Sequence, residues 1–322
     1  MNENIRVHRK YNILRRLVFV DGIARSGKSL LGPIIASLEN VEIERLEACY
    51  EYVAVLDYHK KIDRDAAISL IQQLSDEFLY NSLLSRNTNF RWQDHSSVFK
   101  NPQWFRYIRR LFHKEGPETL EKINQRNPIF QNMVHDQMAY VDFFFEAFPE
   151  GFQMIEIIRD PIYLIDAWVR RRLASRFGTD PLEFSICVKT GDSVVPHYAI
   201  GWEKEYLKMS DFDRTIHMLH NLHFKNRKKY ESLNSASKEK LYVLKFEDFV
   251  TNDTFQELDS IASFLNTKTT KSSYRTIKKQ GCPRVLSQDK YNRLYNEIKS
   301  QCSPESNKML QELISDYEIE WK

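Results

Sequence analysis

The sequence predicts an α/β fold: a central parallel sheet between helical layers, three layers in all. Two observations carry this. Short apolar, β-branched runs recur along the chain, each ending at a glycine or a charge, and most are followed by a stretch with apolar residues at helical spacing. Strands that alternate with helices pair in parallel through right-handed crossovers. A third observation sets the domain count. No internal repeat, low-complexity tract or Pro/Gly/Ser linker divides the 322 residues, so one domain over 1–322 is expected.

The first strand is RRLVFVDG, closed by Gly22, and behind it Leu30, Leu31, Ile34, Ile35 and Leu38 mark a helix. Pro33 falls just past the first helical turn, where a slight kink is expected. Residues 60–125 read as helices with polar connections. A helical insertion at about 45–128 is therefore expected to shape the acceptor side of a site. Its aromatic stretch, Phe90, Trp92, Trp104, Phe105 and Tyr107, fits either a core or a pocket wall. PIFQNMVHD is a short strand, and QMAYVDFFFEAF is a helix stopped by Pro149 and Gly151. FQMIEIIRDP is a buried strand, IYLIDAWVRRRLASRF one helix with a basic far half, LYVLKFEDF the last strand, and the remainder helical. Ligands of such sheets collect where strands end and helices begin.

Composition removes several classes of function. Lys plus Arg number 47 against 44 Asp plus Glu, a net charge of +3. That is too balanced for a nucleic-acid binder that relies on concentrated positive charge. With 42% hydrophobic and 28% charged residues the chain is an ordinary globular protein. No apolar run approaches the roughly 20 residues that span a bilayer, and MNENIRVHRKYNILRR lacks the apolar segment of a secretory signal. Cys49, Cys187, Cys282 and Cys302 form no CxxC pair. Reduced thiols and a cytoplasmic location are expected.

The most specific motif is GIARSGKS, Gly22 to Ser29, which fits the G-x-x-x-x-G-K-[ST] phosphate loop without a mismatch. Gly22 and Gly27 let backbone N–H groups turn inward as an anion nest, with Ser26 between them. The helix beginning near Lys28 adds its N-terminal N–H groups and dipole, and Arg25 and Lys28 add two cations. A phosphorylated ligand is expected there. A small-molecule kinase would use Lys28 on the terminal phosphates of ATP, Ser29 on Mg²⁺ and Asp160 as its carboxylate. A nucleotide-binding protein without turnover is a further alternative.

Together with later segments, this loop resembles the sulfotransferases that use 3'-phosphoadenosine 5'-phosphosulfate (PAPS), relatives of the P-loop kinases in fold. LVFVDG with ARSGKSLL looks like their 5'-phosphosulfate loop, AFPEGFQMIEIIRDP like their 3'-phosphate segment, and YVLKFEDF like the strand with a K/R-x-E-D ending that follows. IKKQGCPR is similar to the basic loop over the 3'-phosphate in some branches. The sequence departs at Lys28, where the family usually has Thr, and at Ala167, where it usually has Ser.

The resemblance implies a P-loop-like fold and transfer of a sulfuryl group to an acceptor, most plausibly a hydroxyl of a carbohydrate, lipid or small metabolite, with no metal required. It implies that Gly22, Arg25, Ser26, Gly27, Lys28 and Ser29 hold the 5'-phosphosulfate. Arg159 would hold the 3'-phosphate, joined by Lys278, Lys279 and Gly281. Arg25 occupies the family's catalytic lysine position. Because arginine does not deprotonate in proteins, its implied role is charge stabilisation, shared with Lys28. His135, ending a strand 24 positions before Arg159, is the leading base. His95, beside Asp94, is the second.

Overall fold

The computed structural model describes residues 5–94, 97–101, 103–251 and 254–321. The sheet consists of β1 (Leu17–Asp21), β2 (Phe130–Met133), β3 (Phe152–Ile158) and, after a hairpin of β4 (Cys187–Thr190) and β5 (Ser193–Pro196), β6 (Leu241–Lys245). The strands lie in the order β2-β1-β3-β6 and every pairing is parallel. Register sets Leu17 opposite Phe130 and Phe152, and Met154 opposite Leu241.

Both faces of this sheet are covered, as a parallel sheet requires, and the alternation of side chains divides its core. Leu17, Phe19, Phe130, Phe152 and Met154 face the helices at Cys49–Tyr58, Arg64–Leu83 and Val141–Ala147. Val18, Val20, Ile155, Ile157 and Leu244 face those at Lys28–Ile35 and Thr254–Phe264. Phe19 packs edge-on against Tyr50, Phe144 and Phe152 with centroids 4.7–5.1 Å apart. A third cluster joins the helix Pro161–Arg171 to Asp211–Ser232 and the two C-terminal helices.

All four sheet strands stand where the sequence predicts them. Two details differ. The helix expected over 162–177 breaks at Arg172, whose φ of 52° caps one helix and opens the short Leu173–Arg176 turn. The β4–β5 hairpin was not anticipated, although Gly191-Asp192 is a two-residue turn between paired strands. Of the aromatic stretch, Tyr107 is buried and receives the Ile43 N–H at 2.5 Å. Trp92, Trp104 and Phe105 are exposed. Pro33 lies inside the eight-residue helix Lys28–Ile35. Among the described residues no helix is long and apolar enough to cross a membrane.

Candidate active site

At the C-terminal ends of the sheet strands lies a cavity of about 630 Å³. Its floor is the loop between β1 and the helix Lys28–Ile35, which contributes Arg25, Gly27, Lys28 and Ser29. The loop is shaped by two glycines for different reasons. Gly22 has φ 135°, and a Cβ there would lie 2.4 Å from the Ile157 carbonyl oxygen on β3. Gly27 has φ 112°, and a Cβ would lie 2.2 Å from the Phe246 ring. Both positions demand a residue without a side chain.

The carbonyls of this loop are tied outward one by one. Lys28 Nζ donates to the carbonyl oxygens of Gly22 and, at 3.0 Å, Ile23. Trp168 Nε1 donates to the Ala24 carbonyl at 2.7 Å, and Arg159 Nη1 to that of Arg25 at 2.6 Å. Four consecutive carbonyls of the loop are thus hydrogen-bonded to side chains, which lowers the negative potential the loop offers an anion. The helix N-terminus contributes the same sign of field. Lys28 thus sits beneath the loop, among the carboxylates of Asp21, Asp136, Glu156 and Glu51. Burial lowers its pKa, and those carboxylates oppose the shift.

Arg159, at the end of β3, occupies the neighbouring corner. Its guanidinium lies 5.2 Å above the Phe246 ring, and Nε stands 3.8 Å from Glu247 Oε1. Glu247 also accepts from the Asp160 backbone N–H at 3.0 Å and the Tyr317 hydroxyl at 2.8 Å. Burial, with Arg171 and Arg159 nearby, lowers the pKa of Arg25. Cations gathered against their own repulsion suit an anionic ligand. Asp160, the carboxylate a kinase would need, instead caps the helix Pro161–Arg171, its Oδ1 accepting from Ile162 N–H at 2.8 Å. Burial, then Glu247, raises its pKa to about 6.

His135 follows β2 and lines the cavity. Glu51 Oε1, from the helix Cys49–Tyr58, receives both the His135 backbone N–H at 3.0 Å and the imidazole Nδ1 at 2.9 Å. A carboxylate only accepts, so Nδ1 carries a proton, and Nε2 is the ring nitrogen that Glu51 leaves unengaged. Beside them stand Asp136, whose pKa burial raises to about 8 against the pull of Lys28, and Tyr198, whose phenol burial holds protonated. Both line the same cavity.

The structure thus brings Arg25, Gly27, Lys28, Ser29, Arg159 and His135 around one space. Gly22 and Ser26 lie just behind, with Ser26 lining a second cavity of about 20 Å³ against Glu156 and Asn226. Lys278 and Lys279 are exposed at the end of the helix Lys271–Lys279, and neither they nor Gly281 line the main cavity. Gln280 and Arg284 of the same segment do. His95 lies outside the described residues. Sequence reasoning missed Glu51, Asp136 and Tyr198. For Asp136 the adjacency to His135 was an available signal; Glu51 is 84 positions from its partner and offered none. Among the described residues no group of three or more His, Cys, Asp and Glu is placed to hold a metal ion.

No family model matches the sequence, and no curated protein matches it. Solved structures do. The sulfotransferase domain from the curacin biosynthetic pathway is similar over 96% of this chain and 99% of its own, with 11% identity and a TM-score of 0.50. The sulfotransferase domain from the Synechococcus PCC 7002 olefin synthase aligns over 98% of both chains, with 12% identity and a TM-score of 0.49. Retinol dehydratase, solved with androsterone and the inactive cofactor PAP, aligns over 94% of this chain and 80% of its own, with 16% identity and a TM-score of 0.37. The first of these establishes the fold: a parallel α/β sheet built as in sulfotransferase domains.

Proposed function

We propose that this protein is a sulfotransferase that takes its sulfuryl group from PAPS and passes it to an acceptor hydroxyl. The observation that carries the reading is a pair of candidate anion sites at one cavity: the loop Gly22–Ser29, four of whose carbonyls accept side-chain hydrogen bonds, and Arg159, bonded to the Arg25 carbonyl. Two anion sites held together suit a nucleotide phosphorylated at both ends of its ribose. The sulfotransferase-domain fold supports the same reading.

The residues present fit such a donor. Gly27, Ser29 and the loop N–H groups would hold the 5'-phosphosulfate, and Arg159 the 3'-phosphate, with Arg284 across the cavity. Phe246 supplies an apolar face beside Arg159. Arg25 is placed for the charge that develops on the departing phosphate oxygen, where a preorganised cation is most effective. The buried Lys28 adds positive potential beneath the loop. His135 Nε2, its other nitrogen held by Glu51, would accept the acceptor's hydroxyl proton. In the transfer an acceptor O–S bond forms as the S–O bond to the 5'-phosphate breaks, leaving a sulfate ester and 3'-phosphoadenosine 5'-phosphate (PAP).

The reading is tested by incubating the protein with ³⁵S-labelled PAPS and a panel of alcohols. Labelled ester formed together with PAP, in chelator, supports it. Label transfer to none of them, with phosphate transfer from Mg-ATP instead, would replace it by the kinase reading.

A further inference from the structure

The cavity has two chemically different ends. Around the loop stand Arg25, Arg159 and Arg284, linked to one another through the Arg25 carbonyl and the Arg159 field. Among the described residues that line the cavity these are the only arginines, and its remaining lining differs in character. Its walls are Leu46 and Tyr52 on one side and Phe177, Leu182 and Phe184 on the other. The two sides are sewn together where Tyr52 Oη donates to the Phe184 carbonyl at 2.7 Å, which spends the phenol of that wall. The carboxylates facing this end are Glu51, engaged by His135, and Glu183, paired with Arg176 at 2.7 Å. Both carboxylates are spent within the protein, and Leu46, Leu182 and Phe184 offer a ligand no hydrogen-bonding side chain.

The mouth extends the same character. Leu46 is 55% exposed, Leu182 72% and Phe184 75%, and all three line the cavity. Adjacent exposed apolar side chains at a cavity rim mark a place where apolar surface is buried on binding.

We propose that the acceptor is a neutral alcohol on an extended apolar body, whose hydroxyl reaches His135 while its chain lies against Leu46, Leu182 and Phe184. A sugar placed there would lose water from its hydroxyls against apolar side chains. The assignment of this end to the acceptor rests on the sulfotransferase reading, but the affinity of the groove for apolar chains does not.

The test is a calorimetric titration of the full chain with the 1-alkanols from butanol to octanol, with and without saturating PAP. Affinity is expected to rise roughly three- to fourfold per added methylene. Glucose is expected to bind at least tenfold more weakly than hexanol. Phe184→Asp and Leu182→Asp alter exposed side chains, and each should cut the octanol-to-butanol affinity ratio at least tenfold, with the fold checked by circular dichroism. A flat chain-length series, or tighter binding of glucose, would overturn the inference. Failure of PAP to bind would instead overturn the donor assignment, and the series on the free protein would still decide this one.

Discussion

Glu51 holds His135 at two points: one carboxylate oxygen takes both its backbone N–H, at 3.0 Å, and its imidazole Nδ1, at 2.9 Å. The double contact fixes the ring's position and leaves Nε2 as the nitrogen proposed to act as base. The residues are 84 positions apart and meet because β2 delivers His135 to the end of the sheet that the helix Cys49–Tyr58 covers.

The first prediction concerns this pair. His135→Ala removes the base and should lower turnover by roughly 10²–10⁴-fold. Glu51→Ala leaves the base but frees its ring, with a loss of up to about a hundredfold. Glu51→Gln should restore most of the activity, because an amide oxygen accepts the same two N–H groups. Initial rates measured beside PAP affinity check this: affinity should change little in all three variants.

Arg159 is expected to read the 3'-phosphate. Arg159→Ala should weaken PAP by roughly 1.5–3 kcal/mol, the range for a hydrogen bond to a charged group. It should weaken adenosine 5'-phosphosulfate, which lacks the 3'-phosphate, much less. Equal losses for both ligands, measured by calorimetry, would remove Arg159 from that role.

Gly27 packs against Phe246 with no room for a methyl group. Gly27→Ala combines a left-handed backbone with a Cβ only 2.2 Å from the Phe246 ring, and should cost about 1–3 kcal/mol or more in denaturant unfolding. The double variant Gly27→Ala/Phe246→Leu should regain part of that loss, since only the steric component is relieved. A double variant as unstable as the sum of the singles would show that the ring is not the obstacle.

Glu44 lies largely buried against Gly32, and burial raises its carboxyl to about 8 against a weaker pull from Lys28. The folded protein therefore keeps a proton that the unfolded chain releases in the ordinary carboxylate range. Its contribution to stability is full below the unfolded pKa and is lost as pH rises through about 8. Glu44→Gln should change stability little near pH 4 and increase it at pH 8.5 relative to the parent, as read by urea unfolding at both pH values. A larger gain at acid pH would contradict the assignment.

What could be read from the sequence was what is contiguous in it. RRLVFVDG with GIARSGKS and the apolar spacing behind it defined strand, loop and helix because all three are local patterns. The strand ending in Arg159 was legible for the same reason. The carbonyl tethers that orient the loop were not: Trp168 and Arg159 reach it from positions more than 130 residues away. Nor was the rest of the cavity lining, whose parts at 46–52, 133–136 and 173–185 meet only in space. In the segment IKKQGCPR the sequence drew attention to the lysines, but the turn after the helix carries Gln280 and Arg284 to the cavity instead.

The central claim is that the paired anion sites recognise a nucleotide bisphosphate rather than a metal-bound triphosphate. Calorimetric titration of the purified protein with PAP in chelator, and in parallel with ATP plus Mg²⁺, tests it most directly. The account predicts tight, metal-independent binding of PAP and weak binding of Mg-ATP. Preference for Mg-ATP would contradict it and return the loop to a kinase.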